Sequence, residues 1–135
     1  MTPNPLASHW HASGWFGSQL GGTAWLFIGS LVVGFESPQS AAVLLGCALA
    51  SNLAGCLLWA QRARLDPYRA LQALVAVVVL AGAVATRWLE ARGEFSLLDP
   101  RVSPRTMYLL FVVLLLVLLA VFEAKRRAAT NSVAT

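Results

Sequence analysis

Three amide side chains, those of Gln19, Asn52 and Gln72, occur inside long segments that are otherwise almost entirely apolar. An amide donates and accepts hydrogen bonds without titrating, so it can join two helices or line a path for water or a small solute. Because an unpaired amide in hydrocarbon is strongly unfavourable, each is expected to find a partner. With Thr23 and Ser51 they form a predicted membrane-depth polar cluster. Two interpretations stay open, hydrogen bonding between helices and the lining of a hydrated pocket or pore.

Groups that carry acid–base, nucleophilic or ion-coupled chemistry are missing from these apolar segments. The chain has ten Lys and Arg and six Asp and Glu, and none of them lies in residues 1–35, 70–86 or 106–122. Proton relays, ion-coupled transporters and voltage sensors normally carry such groups within their spans. The sequence also lacks a visible Ser–His–Asp set, phosphate-binding glycine loop or pair of membrane carboxylates. We therefore expect a protein that is not an enzyme and that has no cofactor.

The cysteines and histidines give no stronger signal. Cys47 and Cys56 are separated by nine residues on one predicted helix, which places them on opposite faces and about 13 Å apart. A disulfide needs Cα atoms within about 7 Å, so we expect both to be buried thiols that act as small apolar residues. His9 and His11 are the only histidines, and a zinc site needs at least three protein ligands. We expect an interfacial tail there and no metal, with weak metal binding or pH sensing as the alternative.

The composition explains why the apolar segments belong in lipid. The 135-residue chain is 58% hydrophobic and 12% charged, whereas soluble domains carry about 25% charged residues. A soluble domain of this size could not bury so much apolar side chain, because small domains leave a large share of their surface in water. The uncharged windows predict four membrane spans, at 15–35, 38–61, 67–88 and 104–125. An interfacial tail at 1–14 precedes them, and a polar tail at 126–135 follows them.

Length and start signals support these spans. About 20 residues, at about 1.5 Å each, cross a hydrocarbon core of about 30 Å. The last three spans begin with a Ser or Asp followed by proline, namely Ser37-Pro38, Asp66-Pro67 and Ser103-Pro104. Such a side chain can accept from amides of the first turn, and proline fits the first helical position. Since the first two links are very short, we predict an all-α integral membrane protein, a four-helix transmembrane bundle of antiparallel up-down hairpins.

Small and weakly polar residues predict the faces on which the helices meet, because association in lipid depends on close packing and a few interhelical hydrogen bonds. Three spans carry such a face: Gln19, Thr23, Ser30 and Gly34 in span one, Cys47, Ala48, Ser51, Asn52 and Gly55 in span two, and Gln72, Ala76, Ala83 and Thr86 in span three. Span four is apolar on all sides, so we predict that it is peripheral and mostly faces lipid.

The start of span one is rich in glycine, with Gly14, Gly17, Gly21 and Gly22. Glycines in a membrane helix permit close approach of another backbone, which is the favoured interpretation. The alternative is an unwound stretch that lines a cavity, as in some transporters.

Positive charge concentrates at the span ends. Arg62, Arg64 and Arg69 lie in or beside the second link, with Trp59 and Tyr68 next to them. We interpret this basic turn as a topology anchor, and alternatively as a contact for an anionic lipid headgroup or an acidic partner. The side that holds the termini has six Lys and Arg and the opposite side has four, which predicts cytoplasmic termini. A net charge of +4 placed in this way does not indicate a nucleic-acid partner.

These features favour a small membrane protein that acts as a homo-oligomer, with lipid around it. One version is a channel or facilitator for a small solute, lined by the membrane-depth polar cluster. The alternative is a non-catalytic accessory or scaffold subunit of a larger membrane complex, docked through the basic turn. The short N-terminal tail, without an organelle-type targeting signal, favours a bacterial cytoplasmic membrane.

Overall fold

The computed structural model describes residues 12–94, 101 and 103–133 of the chain. Within these residues the backbone forms four α-helices and no strand: α1 (Ala12–Gly34), α2 (Pro38–Ala60), α3 (Pro67–Arg92) and α4 (Pro104–Val133). Each helix contains a stretch that is long and apolar enough to cross a membrane. The predicted all-helical class with four candidate spans is therefore confirmed. His9 and His11 lie outside the described residues.

Three helices begin at the predicted prolines, whereas two helices end later than the predicted spans. α3 continues to Arg92 rather than residue 88, and α4 continues to Val133 rather than residue 125. The end of α3 is set by Gly93, whose backbone is left-handed with a φ of 68°. Glycine adopts this conformation without steric penalty, and it commonly terminates helices in this way.

The capping predicted for these starts holds at α3 and differs at α2. The carboxylate of Asp66 accepts from the backbone N–H of Arg69, with an N–O distance of 3.3 Å. Ser37 precedes α2 but makes no side-chain cap. Its hydroxyl instead contributes to a polar group at the far end of α3, described below.

The pairing of α1 with α2 is the most extensive helix–helix contact, followed by that of α2 with α3. The two helices approach closely because small residues line the contact: a Cβ on Gly34 would lie 3.4 Å from the Cβ of Ala41. The predicted small-residue faces of these helices are inward, with the following residues buried: Gln19, Thr23 and Ser30 in α1, and Ala48, Ser51 and Gly55 in α2. Close packing by small residues is what membrane helices use in place of the hydrophobic effect.

The inner face predicted for α3 is wrong. Gln72 and Ala76 are exposed, and of the predicted arc only Thr86 is buried. The buried face combines the small residues Ala70, Gly82 and Ala85 with five larger apolar ones: Leu71, Leu74, Val75, Val78 and Leu89. These side chains fill the space left beside the closely paired α1 and α2. Dense packing of branched side chains therefore decides which face of α3 turns inward, rather than the smallest or most polar residues.

α4 lies at the periphery, as predicted. Its apolar stretch Arg105–Ala124 lies almost entirely outside the packed interior, and Leu115 joins the buried cluster that contains Trp15 and residues of α3. Its contacts are mainly with α3. The Tyr108 hydroxyl donates to the backbone carbonyl of Val79, with an O–O distance of 2.9 Å. A mostly exposed Leu, Val and Phe surface suits contact with lipid chains.

Candidate functional site

The centre of the candidate site is a pair of amides that joins α1 to α2. Gln19 is only 2% exposed. Its Nε2 donates to the backbone carbonyl of Asn52 at 2.7 Å and to the Asn52 Oδ1 at 3.0 Å. Two hydrogen bonds from one amide to one residue fix the register of α1 against α2. Each such bond between membrane helices contributes roughly 0.6–2 kcal/mol.

Thr23 extends this pair into a network. The Nδ2 of Asn52 donates to the Thr23 hydroxyl at 2.8 Å and to the carbonyl of Ala48 at 2.8 Å. The Thr23 hydroxyl in turn donates to the carbonyl of Gln19 at 3.0 Å. Asn52 therefore uses both ends of its amide, and the hydroxyl both donates and accepts. The three side chains form one network across the α1–α2 contact.

Gly55 makes space for this network. A Cβ at Gly55 would lie 2.4 Å from the Cδ of Gln19, so any larger residue would displace the amide. The carbonyl of Gly55 also accepts from the Nε1 of Trp15 at 3.2 Å. A residue without a side chain thus lets Gln19 reach Asn52, and its backbone binds the indole of α1.

One atom of the network is left over. The Oε1 of Gln19 is buried and has no hydrogen-bond partner. The Sγ of Cys56 lies 3.8 Å from the Nε2 of the same amide. A buried acceptor without a donor is unfavourable, so this oxygen is the point at which a water molecule or another donor could join the network.

The structure brings together three of the five residues of the predicted membrane-depth polar cluster. Gln19, Thr23 and Asn52 share one network. Ser51 is buried but donates within its own helix, to the carbonyl of Cys47 at 2.8 Å. Gln72 is exposed on α3, apart from the other two amides.

The basic turn between α2 and α3 is open to the surroundings. Arg62, Arg64 and Arg69 are all exposed. The guanidinium of Arg62 lies 5.0 Å from the ring centre of Trp59 and donates to the Trp59 carbonyl at 3.2 Å. Trp59 packs in turn on Phe16, with 5.3 Å between ring centres. The aromatic rings of Trp59 and Phe16 therefore connect the basic turn to α1.

A second polar group, which sequence reasoning missed, lies at the opposite end of the helices. We call Ser40, Trp88, Arg92 and Glu94 the α2–α3 clasp. The hydroxyl of Ser40 donates to the Glu94 carboxylate and accepts from the Nε1 of Trp88 at 3.0 Å. Arg92 pairs with the other carboxylate oxygen at 3.0 Å. The Ser40 hydroxyl, with further contributions from Arg92 and Ser37, holds the pKa of Glu94 below its ordinary value.

The helices also leave two apolar grooves. The first, the α1–α4 groove, has a volume of about 450 Å³ and lies between α1, α3 and α4. The second, the α2–α3 groove, has a volume of about 420 Å³. Neither is lined by Gln19 or Asn52. The amide network is thus enclosed between helices and separate from both grooves.

Metal-binding and redox groups are sparse in the described part of the chain. No group of three or more His, Cys, Asp or Glu is arranged there to hold a metal ion. Cys47 and Cys56 are both free thiols, but Cys47 is only half-buried and Cys56 is exposed, so the expected burial is wrong for Cys56. Comparisons of this chain with protein-family models, with curated proteins and with solved structures found no match.

Proposed function

We propose that this protein is a non-catalytic integral membrane protein that works as a homo-oligomer. Its four helices would cross the bilayer as an antiparallel up-down bundle. The observation that carries the proposal is that the polar groups of Gln19, Thr23 and Asn52 bond one another inside the α1–α2 contact. What the chain offers to its surroundings at membrane depth is a mostly apolar surface with small residues. Such a surface suits helix association rather than chemistry.

The α2–α3 groove is the surface on which we place self-association. Gly46 and Ala50 line it from α2, and Val77 and Ala81 line it from α3. A Cβ at Gly46 would meet no other atom within 4 Å, so the backbone of α2 is open to a neighbouring helix. These residues lie near the middle of both helices, where two crossing helices approach most closely. A two-fold arrangement would place the groove of one copy against that of another.

Gln72 adds a polar contact to this proposal. It is an exposed amide within the apolar stretch of α3. An amide at membrane depth is favourable only with a hydrogen-bond partner. A second subunit can supply that partner, and so can water if the oligomer encloses a hydrated path. The channel or facilitator version of the oligomer rests on this exposed amide and on the free Oε1 of Gln19.

The alternative is an accessory or scaffold subunit of a larger membrane complex. The exposed Arg62, Arg64 and Arg69 support it, because clustered positive charge attracts acidic protein surfaces as well as anionic headgroups. Under either alternative we place both termini and this basic turn in the cytoplasm of a bacterial cell.

The homo-oligomer is tested by native mass spectrometry on protein excised from its own membrane in polymer discs. We expect multiples of the 14.4 kDa chain for the unmodified protein and single chains for Gly46→Leu, because the added side chain fills the α2–α3 groove. Gly21→Leu is the matched control. Its Cβ position is also open, but it faces the α1–α4 groove, so the oligomer should persist.

Two results would overturn the proposal. Single chains from the native membrane would exclude the homo-oligomer. A second polypeptide released together with this chain would instead favour the accessory subunit, and charge reversal at Arg62 and Arg64 should then release that partner.

A further inference from the structure

The glycines at the start of α1 line a groove, and Gly22 among them lies close to a side chain of another helix, that of Val78 in α3. Gly14, Gly17, Gly21 and Gly22 line the α1–α4 groove. A Cβ at Gly17 or Gly21 would meet no other atom within 4 Å. The small size of Gly17 and Gly21 is therefore not needed for packing within the described chain, and the fold does not explain why glycine stands at these two positions.

The opposite walls of this groove are apolar. α3 contributes Leu, Leu, Val and Val, and α4 contributes one Phe and three Leu, at the following positions: Leu71, Leu74, Val75, Val78, Phe111, Leu114, Leu115 and Leu118. The hydroxyl of Ser18, on the α1 wall, donates to the carbonyl of Gly14 at 2.8 Å. The groove therefore suits a hydrocarbon ligand rather than a polar one.

The length of the groove matches one leaflet of a bilayer. Along α1 it runs from Ser13 to Gly22, which is about 14 Å at about 1.5 Å per residue. A hydrocarbon core is about 30 Å thick, so the groove covers about half of it. One turn further along α1, Trp25 packs on Phe111 with 5.7 Å between ring centres and fits against Gly82. A lipid acyl chain reaches from one membrane surface to near the midplane, so the groove matches its length.

Charge at the open end favours an anionic lipid. α4 continues past Leu118, and Lys125 and Arg126 come about two helical turns later in the same helix. Arg127 adjoins them and pairs with Glu123 at 2.8 Å, and Asp66 at this end caps α3. The Arg residues of the basic turn lie at the same end of α3. Net positive charge at a membrane surface attracts anionic headgroups.

We propose that the α1–α4 groove binds one acyl chain of an anionic phospholipid, whose headgroup lies at the basic end of α4. The site is confined to the leaflet that contains the starts of α1 and α3. This inference rests on the proposed membrane insertion but not on the proposed homo-oligomer, since the two use different grooves. Glycines at 17 and 21 are required because a larger side chain there occupies the space of the lipid chain.

The test is native mass spectrometry of the full chain released from vesicles of equal parts phosphatidylglycerol and phosphatidylcholine. We expect one phosphatidylglycerol retained per chain, in about tenfold preference over phosphatidylcholine. Gly21→Leu and, as a second variant, Gly17→Leu should each lower this retention about tenfold, with helix content unchanged by circular dichroism. Gly46→Leu, which fills the other groove, should retain the lipid even where it abolishes the oligomer.

Three outcomes overturn the inference. Equal retention of the two lipids by the unmodified chain excludes selection by charge. Unchanged retention in both well-folded groove variants excludes the groove as the site. Loss of a chain dimer in Gly21→Leu, with lipid retention unaffected, identifies a second copy as the occupant instead.

Discussion

The α1–α2 pair and α4 are both apolar enough to cross a membrane, yet they are built in opposite ways. α1 and α2 meet through glycines, serines and the network of Gln19, Thr23 and Asn52. α4 exposes an almost uniform Leu and Val surface and contacts mainly α3. In lipid, apolar bulk gives no preference for protein over solvent, because the lipid chains are equally apolar. Small and polar residues therefore set the pairing of α1 with α2, whereas larger apolar side chains set the face that α3 turns inward.

Among added side chains, the greatest loss of stability is expected at Gly55. A Cβ there displaces Gln19 from Asn52, so we expect Gly55→Ala to lower the free energy of unfolding by about 1–3 kcal/mol, as overpacking typically does. Gly46→Ala, on the same helix with open space around it, is the control and should have little effect. Reversible unfolding in detergent micelles measures both. Equal stability of the two variants would remove the requirement for close packing at Gly55.

A smaller effect is expected where α4 is tied to α3. Tyr108→Phe removes the hydrogen bond to the Val79 carbonyl, which contributes about 0.5–1.5 kcal/mol. The aromatic ring, which lies beside Gly82, is retained in Phe. We therefore expect α4 to open more often while α1–α2 stays intact, which hydrogen exchange resolved by helix can measure. Increased exchange in α1 instead would mean that α4 supports the whole assembly.

The α2–α3 clasp adds a dependence on pH. The pKa of Glu94 is lower in the folded chain than its ordinary value, so the stabilisation is complete above the ordinary carboxyl pKa of about 4.3. It is lost as the pH falls through the lower, folded value. The unfolding temperature of the unmodified chain should therefore fall more steeply in acid than that of Glu94→Gln. The control is Glu36→Gln, an exposed carboxylate in the turn before α2, which should follow the unmodified chain.

The smallest effect is expected on the outer face of α4. Leu116 is 56% exposed, and Leu116→Ala removes mainly side-chain surface that no other helix covers. We expect a change in unfolding free energy within about 0.5 kcal/mol, as for most exposed positions. Leu26, which is fully buried, is the contrasting site, where truncation should be destabilising by about 2–5 kcal/mol. A large effect at Leu116 would indicate that α4 has a protein neighbour.

The sequence predicted much of the fold because its signals are local. Uncharged windows and the prolines at 38, 67 and 104 mark the helices, and small residues mark the inner faces of α1 and α2. The face of α3 was not predictable in this way, because Leu and Val side chains on every side of the helix give no local reason to prefer one face. The position of Gln72 depends on how those side chains fit beside α1 and α2.

The candidate site was predictable only in part, for the same reason. Gln19, Thr23 and Asn52 stand out as polar residues in apolar spans, and they do meet. The α2–α3 clasp joins Ser40 to Glu94, which are distant in sequence, and depends on the left-handed turn at Gly93. Glu94 lies in what the sequence suggested was a link, so nothing local pointed to its partner. The two grooves likewise follow only from the packing.

The hydrogen bonds between Gln19 and Asn52 hold α1 against α2. A double-mutant cycle of Gln19→Leu and Asn52→Leu, with unfolding free energies measured in detergent, tests it most directly. We predict a coupling of about 0.5–3 kcal/mol, as found for residues in one hydrogen-bond network. The double variant should then be less destabilised than the sum of the single variants, because no partner is left unpaired. A coupling near zero, with each effect simply additive, would contradict the claim.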